Sequence, residues 1–162
     1  NRARLIKNSK NRIPYGVDLI QKYKRDSWIV FTENKKQAKE FNKIINTKGF
    51  KSALYNTDLD SAERLENLNK FKKADLNVLV TCTALDEGFD MPEADGALIL
   101  SASSSKRQRV QRMGRVLRIT ENKPNALIVT VYSSKTEFDK LMEEAKRYHK
   151  EGVPVSWKRQ DR

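Results

Sequence analysis

The stretch Trp28-Ile29-Val30-Phe31-Thr32 decides the fold class of this chain. It is an uninterrupted apolar run that ends in a polar residue, which is typical of a parallel strand buried on both faces. A helical pattern follows at once, because Ala38, Phe41 and Ile45 share one face before Gly49 ends the turn. These residues therefore predict a strand followed by a helix that packs on it.

The same alternation of strand and helix continues along the chain. Strands are predicted at residues 52–55, 78–81, 97–100 and 126–132, and helices at 62–71, from 105 onward and at 138–148. An opening basic segment, broken at Pro14, predicts one or two further helices. We therefore predict an α/β fold, with a parallel sheet of about five to six strands and helices on both faces.

The length of 162 residues suits one domain with a sizeable core. We predict a single domain over residues 1–162, with a basic tail over 152–162 and no internal boundary. The chain opens Asn1-Arg2-Ala3, without a methionine or an apolar signal region. We therefore expect it to be one part of a longer protein.

The chain is strongly basic. Its 33 Lys and Arg residues against 21 Asp and Glu leave a net charge of +12, which attracts polyanions and speeds their encounter. Nucleic acid is the first partner that this charge suggests, although a basic surface kept only for solubility gives the same count. Charge alone leaves both interpretations open.

Composition argues against several other classes of protein. The longest apolar stretches, 97–100 and 126–131, are far shorter than the roughly 20 residues that span a bilayer, so we expect no membrane contact. A lone cysteine, Cys82, cannot form an internal disulfide, and a lone histidine, His149, leaves no ligand cluster for zinc. We expect Cys82 to pack at a strand end and His149 to lie at a helix end. The cysteine count favours a reducing compartment, the cytoplasm or, in a eukaryote, the nucleus.

The sharpest chemical feature is the octet Gln111-Arg112-Met113-Gly114-Arg115-Val116-Leu117-Arg118, within the predicted basic helix. At about 100° per residue, Gln111, Arg115 and Arg118 fall within about 60° of one another on one helix face. Two guanidiniums beside an amide suit the oxygens of a terminal phosphate. Spacing alone equally allows a solvated or nucleic-acid-facing basic helix.

The octet resembles motif VI of the superfamily 2 helicases, written Q-R-x-G-R-x-x-R, without a mismatch at the specified positions. Its flank, Arg107-Gln108-Arg109-Val110, resembles the XPB branch and related phage and bacterial enzymes. The chain is thereby identified as a member of this superfamily, of an XPB-like branch or a phage or bacterial DEAD/DEAH-type branch. The resemblance implies that it is the C-terminal RecA-like lobe of such an enzyme.

The resemblance also implies roles for four side chains of the octet. Arg115 and Arg118 match the arginine fingers that reach the γ-phosphate of ATP from the second lobe. Gln111 matches the residue that helps to sense the nucleotide, and Arg112 the residue that braces the cleft between the lobes. Fingers of this kind are worth on the order of 10³ to 10⁵ in rate.

Residues 78–92 resemble motif V, a strand and a threonine-bearing turn followed by E-G-x-D-x-P. Parallel sheets place ligands at the carboxyl ends of their strands, so Thr81 and Thr83 are candidates for contacts with a nucleic-acid backbone. The resemblance implies three residues on the ATP side: Glu87, Gly88 and Asp90. The glycine permits a tight turn, and the aspartate holds a ribose hydroxyl or orders the fingers.

Two further segments continue the resemblance. Residues 28–34 are similar to motif IV, a strand that ends in F-T-E-N, and residues 55–71 resemble the next block. Nucleic-acid contacts are implied for three polar residues: Thr32, Asn34 and Thr57. One departure is Asn56, which stands where many members have glycine. Because asparagine tolerates the left-handed conformation, we expect the turn there to survive.

Two elements of a complete motor are absent from the sequence. No glycine is followed by Lys and then Ser or Thr, so there is no phosphate loop G-x-x-x-x-G-K-[ST]. No apolar strand ends in an acidic pair suited to Mg²⁺ either. We expect ATP and Mg²⁺ to be held mainly by a first RecA-like lobe of the same parent protein, with no metal ligand in this chain. Alone, the chain is expected to be an inactive, monomeric part of an ATP-dependent helicase.

The sequence thus predicts the second motor lobe of an ATP-dependent nucleic-acid helicase or translocase. Its track is DNA or RNA, and the XPB-like octet together with Glu87-Gly88 favours DNA. A rival of another class is a stand-alone basic module that binds nucleic acid or a protein partner without any ATPase role. A flavodoxin-like or dinucleotide-binding enzyme shares the alternation of strand and helix, but the chain lacks the glycine-rich first turn of such enzymes.

Overall fold

The computed structural model describes residues 12–82, 94–101, 127–132 and 134–150, apart from the side chains of Tyr148 and His149. The chain divides into two compact units, Asn1–Val131 and Tyr132–Arg162, and the sheet belongs to the first. The helix predicted from residue 105 and the basic tail over 152–162 lie outside the described residues. The single-domain organisation stays a prediction.

The described ranges contain four helices and five strands. The helices are α1 (Arg12–Lys22), α2 (Lys35–Thr47), α3 (Ser61–Lys72) and α4 (Lys135–Lys150). The strands are β1 (Trp28–Phe31), β2 (Ser52–Leu54), β3 (Val78–Thr81), β4 (Gly96–Ile99) and β5 (Leu127–Thr130). They form one sheet in the order β2-β3-β1-β4-β5, and every neighbouring pair is parallel. The predicted α/β class with a parallel sheet is therefore confirmed.

Helices cover both faces of the sheet. Because successive residues of a strand point to opposite faces, β1 contributes side chains to the core on each side. On one face, Trp28 and Val30 pack in a cluster with apolar residues of α1 and α2. On the other face, Ile29 and Phe31 pack in a second cluster with apolar residues of α3. All four residues of β1 are buried, as its uninterrupted apolar sequence predicts. Cys82 is half-buried just after β3 and packs against the first cluster, as expected.

Helix α1 is continuous, and Pro14 does not break it. The proline lies in the first turn, where its missing N–H would have no partner within the helix. Gly16, one turn into α1, faces the sheet, and a Cβ there would lie 2.9 Å from Cδ2 of Leu100. At Gly96 of β4, a Cβ would lie 2.7 Å from Cε3 of Trp28. The two glycines thus allow α1 and the Trp28 ring to pack closely against β4.

The second unit contains helix α4, which starts three residues before the predicted span. The Ser134 hydroxyl oxygen accepts a hydrogen bond from the Glu137 backbone N–H at 3.2 Å, as a capping residue does. The rings of Tyr132 and Phe138 pack with 5.3 Å between their centroids. His149 belongs to the last turn, as predicted. None of the described helices is long and apolar enough to cross a membrane.

Candidate functional site

The carboxyl ends of the five strands lie along one edge of the sheet, here called the carboxyl edge, because all the strands are parallel. Four of the predicted site residues fall on it. Thr32 and Asn34 follow β1, Thr57 follows β2, and Thr81 ends β3. Ligands of open parallel sheets bind outside the carboxyl ends of the strands. The structure therefore brings the described members of the predicted site to one edge.

The neighbouring strands β1 and β4 form the switch point of the sheet. From β1 the chain continues to β2 on one side, whereas from β4 it continues to β5 on the other. A crevice of this kind is the usual ligand position in such sheets. Across it, the hydroxyl of Ser101, just beyond β4, donates a hydrogen bond to Oε2 of Glu33, just beyond β1. The Glu33 backbone N–H in turn donates to Oε1 of Gln37 at 2.8 Å.

Thr32 and Thr81 join the ends of β1 and β3. Each is only 1% exposed. The Thr32 hydroxyl donates to the carbonyls of Thr81 (3.3 Å) and Asn34 (3.2 Å), and its backbone N–H donates to the same Thr81 carbonyl at 2.9 Å. The Thr32 hydroxyl therefore has a structural role in this arrangement. Whether either side chain contacts nucleic acid stays a prediction.

Asn34 caps the N-terminus of α2. Its side-chain oxygen accepts from the Gln37 backbone N–H at 2.8 Å, and the residue itself is exposed. Helix N-termini carry a partial positive charge and attract anions. Asn34 thus holds an exposed helix N-terminus at the carboxyl edge, beside the central strand of the sheet.

Thr57 is exposed in a turn that Asn56 builds with its own side chain. Asn56 is 1% exposed, and its Oδ1 accepts from the Asp58 backbone N–H at 3.2 Å. Its carbonyl accepts from the Leu59 N–H at 3.3 Å. The turn survives the absence of glycine, as expected, but not by a left-handed conformation. Among the described non-glycine residues, positive φ occurs only at Ala74. At Asn56, the side-chain oxygen accepts a hydrogen bond within the turn and so takes the place of the expected left-handed backbone conformation.

Two lysines of α2 meet one carboxylate beyond β2. Lys35 Nζ lies 2.5 Å from Oδ1 of Asp58, and Lys39 Nζ lies 3.6 Å from its Oδ2. The hydrogen bond from Lys35 is the largest cause that holds the pKa of Asp58 below its ordinary value. Sequence patterns do not show this cluster, because Lys35 and Asp58 lie 23 positions apart.

Arg12 is a buried residue of the carboxyl edge that the sequence analysis missed. It is 1% exposed, and its Nη1 donates to the carbonyls of Leu100 (3.1 Å) and Val131 (2.8 Å). These carbonyls belong to the residues that follow β4 and β5. One guanidinium therefore ties two strand ends together. The sequence offers no signal for it, since Arg12 stands in an opening segment rich in basic residues.

The remaining predicted site residues lie outside the described part of the chain. They are Thr83, Glu87, Gly88 and Asp90 of the segment resembling motif V, and Gln111, Arg112, Arg115 and Arg118 of the octet. Their predicted roles stay predictions. Within the described residues, no group of three or more His, Cys, Asp or Glu side chains is placed to hold a metal ion.

Residues 11–120 match the family model of the helicase conserved C-terminal domain. The chain belongs to this family. The match contains all four segments that resemble helicase motifs, from residues 28–34 to the octet. The helicase C-terminal domain is a part of superfamily 2 helicases and translocases, so the identification from the octet and its flank is confirmed.

This helicase C-terminal domain is similar in sequence to parts of two longer proteins. It is 35% identical over 129 residues to the DNA 3'-5' translocase XPB2 of Sulfurisphaera tokodaii, covering 80% of this chain and 28% of that protein. It is 30% identical over 125 residues to the UvrABC system protein B of Fusobacterium nucleatum, covering 73% of this chain and 19% of that protein. The chain thus spans less than a third of either relative.

The fold has a solved counterpart in the C-terminal domain of the DEAD-box protein Dbp5. The two chains superpose with a TM-score of 0.73, over 90% of this chain and 82% of that one, at 20% sequence identity. At this identity the likeness shows the fold alone. It confirms that the parallel sheet of this helicase C-terminal domain is RecA-like.

Proposed function

We propose that this helicase C-terminal domain is the second motor lobe of an ATP-dependent helicase or translocase that moves on nucleic acid, with DNA favoured over RNA. The supporting observation is the arrangement of the carboxyl edge. There, Thr32, Thr57 and Thr81, from three segments that resemble helicase motifs, lie at the ends of the adjacent strands β1, β2 and β3. The similarity to a DNA translocase favours DNA as the track.

The nucleotide side of the site is assigned to the octet. Residues 102–126, which contain it, follow directly on Ser101 at the switch point of the sheet. The donor set fits a terminal phosphate, because Arg115 and Arg118 offer planar, permanently charged groups and Gln111 offers an amide. When bound between two lobes, ATP supplies the free energy of a step through hydrolysis. The arginines would stabilise the charge that develops on the transferred phosphoryl group.

The nucleic-acid side is assigned to the exposed part of the carboxyl edge. Asn34 and Thr57 are exposed there, and an N-terminus of a helix accompanies them. The buried hydroxyl of Thr32 donates to the Thr81 carbonyl and so joins the ends of β1 and β3. Amides, hydroxyls and helix N-termini bind the phosphate backbone without reading sequence. Phosphate contacts from Lys and Arg add affinity that weakens with salt. A net charge of +12 suits such binding.

The test fuses the chain to a RecA-like lobe that carries an intact phosphate loop, G-x-x-x-x-G-K-[ST], the element that this chain lacks. Replacing Arg115 or Arg118 by alanine should lower DNA-stimulated ATP turnover by about 10³-fold to 10⁵-fold, while DNA affinity stays nearly unchanged. ATP turnover is followed by phosphate release, and DNA binding by fluorescence anisotropy. The matched control is Arg109→Ala, which removes the same charge from the opposite side of the predicted helix.

A different pattern of losses would overturn the proposal. If either substitution weakens DNA binding as much as it slows ATP turnover, the octet is a nucleic-acid-binding surface and the stand-alone module is favoured. If Arg109→Ala slows ATP turnover as much as Arg115→Ala, the loss of rate comes from the general loss of positive charge and not from a specific role of Arg115 and Arg118. Either result rejects the assignment of the octet to the nucleotide.

A further inference from the structure

An acidic side chain stands among the basic residues of the exposed part of the carboxyl edge. Lys35 and Lys39 of α2 both pair with Asp58, and this cluster is here called the edge triad. Lys35 directly follows the capping residue Asn34, and Asp58 directly follows Thr57. The triad thus bridges the ends of β1 and β2, the two strands that flank β3.

Both sides of the edge triad are held in place by the fold. Lys35 begins α2, whose first turn is fixed by the Asn34 cap. The backbone of Asp58 is fixed by the buried side chain of Asn56, through a bond of 3.2 Å to the Asp58 N–H. Because the turn is held by Asn56, the Asp58 carboxylate is presented to the lysines without relying on the ion pair itself.

The triad remains open to solvent. The side chains of Lys35, Lys39 and Asp58 are 48%, 61% and 38% exposed. Exposed ion pairs are weak, because water and salt screen them. A phosphate group of a nucleic-acid strand, which also carries one negative charge, is therefore able to replace the carboxylate. The same geometry that pairs Asp58 with two lysines lowers the positive potential that they offer to the strand.

We propose that Asp58 competes with the nucleic-acid backbone for Lys35 and Lys39, and so keeps the binding of this lobe to the nucleic-acid strand weak and reversible. This inference rests on the proposed function, and it concerns the regulation of the same surface. When a backbone phosphate binds, Lys35 and Lys39 exchange their ion pairs with Asp58 for contacts with the phosphate. When the strand dissociates, the ion pairs with Asp58 form again. Asp58 thus acts as an internal stand-in for phosphate.

The first test is a gain of affinity on removing one carboxylate. Asp58→Asn in the 162-residue chain should tighten binding to a short fluorescein-labelled oligothymidylate by about threefold to tenfold at low salt. The matched control is Glu66→Gln, which frees Lys70 from an exposed ion pair of 3.0 Å on α3 and changes net charge equally. This control should leave the affinity nearly unchanged. Thermal unfolding of each variant checks that the fold is retained.

A second test asks whether the gain passes through the lysines. In a Lys35→Gln, Lys39→Gln background, the further change Asp58→Asn should have no effect on affinity, because no lysine is left to release. The slope of log Kd against log salt concentration should steepen by about 0.7 to 0.9 for each lysine that Asp58→Asn frees. The same titrations with an oligouridylate show whether the effect is common to DNA and RNA.

The outcomes separate the inference from the proposed function. If the chain binds the oligonucleotides and Asp58→Asn matches Glu66→Gln, the competition is rejected and the motor assignment stands. If the gain persists without both lysines, Asp58 repels the strand directly and the inference is again rejected. If neither the unchanged chain nor Asp58→Asn binds any oligonucleotide, the nucleic-acid role itself fails, and the inference fails with it.

Discussion

The carboxyl edge of the sheet has a closed part and an open part, and polar residues serve opposite purposes in them. In the closed part, Arg12 and Thr32 are buried and donate to backbone carbonyls at the ends of strands. In the open part, Lys35, Lys39 and Asp58 are exposed, and each lysine forms an ion pair with Asp58. The closed part holds strands together, whereas the open part offers charges that an incoming polyanion is able to rearrange.

The difference shows that resemblance to a motif does not fix what a residue does. Thr32 and Asn34 belong to the same segment resembling motif IV and lie two positions apart. One is 1% exposed with its hydroxyl engaged by two carbonyls, and the other is an exposed helix cap. A buried hydrogen bond contributes mainly to stability, while an exposed charge contributes mainly to encounter and affinity. Substitutions in the two parts should therefore be read out by different measurements.

The largest effect in the closed part is expected for Arg12→Met. The substitution keeps an unbranched chain but leaves the carbonyls of Leu100 and Val131 without this buried donor, which should cost roughly 2 to 5 kcal/mol of unfolding free energy. Urea unfolding measures the loss. Lys24→Met, at an exposed position shortly after α1, removes the same charge and should change stability by less than about 0.5 kcal/mol. Equal losses for the two variants would show that charge, not the buried bonds, matters.

A smaller effect is expected for Thr32→Val. Valine keeps the branched shape and removes the hydroxyl that joins the ends of β1 and β3, at a cost of about 0.5 to 1.5 kcal/mol. Thr47→Val is the matched control, since its hydroxyl donates to the Ile44 carbonyl at an exposed position. That control should be nearly neutral. If Thr32→Val instead leaves stability intact and weakens oligonucleotide binding, Thr32 belongs to the open part and the division proposed for the edge is wrong.

The sequence predicts the open and closed parts unequally. The apolar run over β1 and the alternation of strand and helix are local patterns, so they predict the sheet and place Thr32 and Thr57 at strand ends. The contacts that define the two parts join residues far apart in the chain, such as Arg12 and Val131, separated by 119 positions. The local periodicity of apolar residues in the sequence does not indicate such a distant partner. From the sequence, a basic residue in a basic segment is therefore predicted to be exposed. Arg12 is instead buried and has a structural role, because it donates to two backbone carbonyls.

Asn56 illustrates a second limit of sequence reasoning. Its place at a turn was predictable, because asparagine favours turns. The conformation was not, since asparagine supports a turn either by a left-handed backbone or by its side-chain oxygen. Here the oxygen accepts from the Asp58 N–H, and that bond also sets the position of the carboxylate in the edge triad. Choosing between such alternatives requires knowledge of the neighbours that the folded chain supplies.

The smallest effect, and the most local test of the open part, is the titration of Asp58. Its pKa lies below the ordinary value of 3.8, first because Lys35 donates a hydrogen bond to it and then because both lysines are positively charged. A lowered pKa in the folded state means that the ion pair stabilises the fold above the unfolded pKa, and that this contribution is lost as pH falls through the folded pKa, below 3.8. Lys35→Gln should therefore raise the pKa of Asp58 toward its ordinary value, as followed by NMR of the carboxyl carbon. Lys70→Gln removes an equal charge from α3 and should leave that pKa unchanged. An equal rise in both variants would mean that the field of the whole basic chain, and not the contact with Lys35, sets the charge of Asp58, and the open part would then lack the specific pairing that distinguishes it.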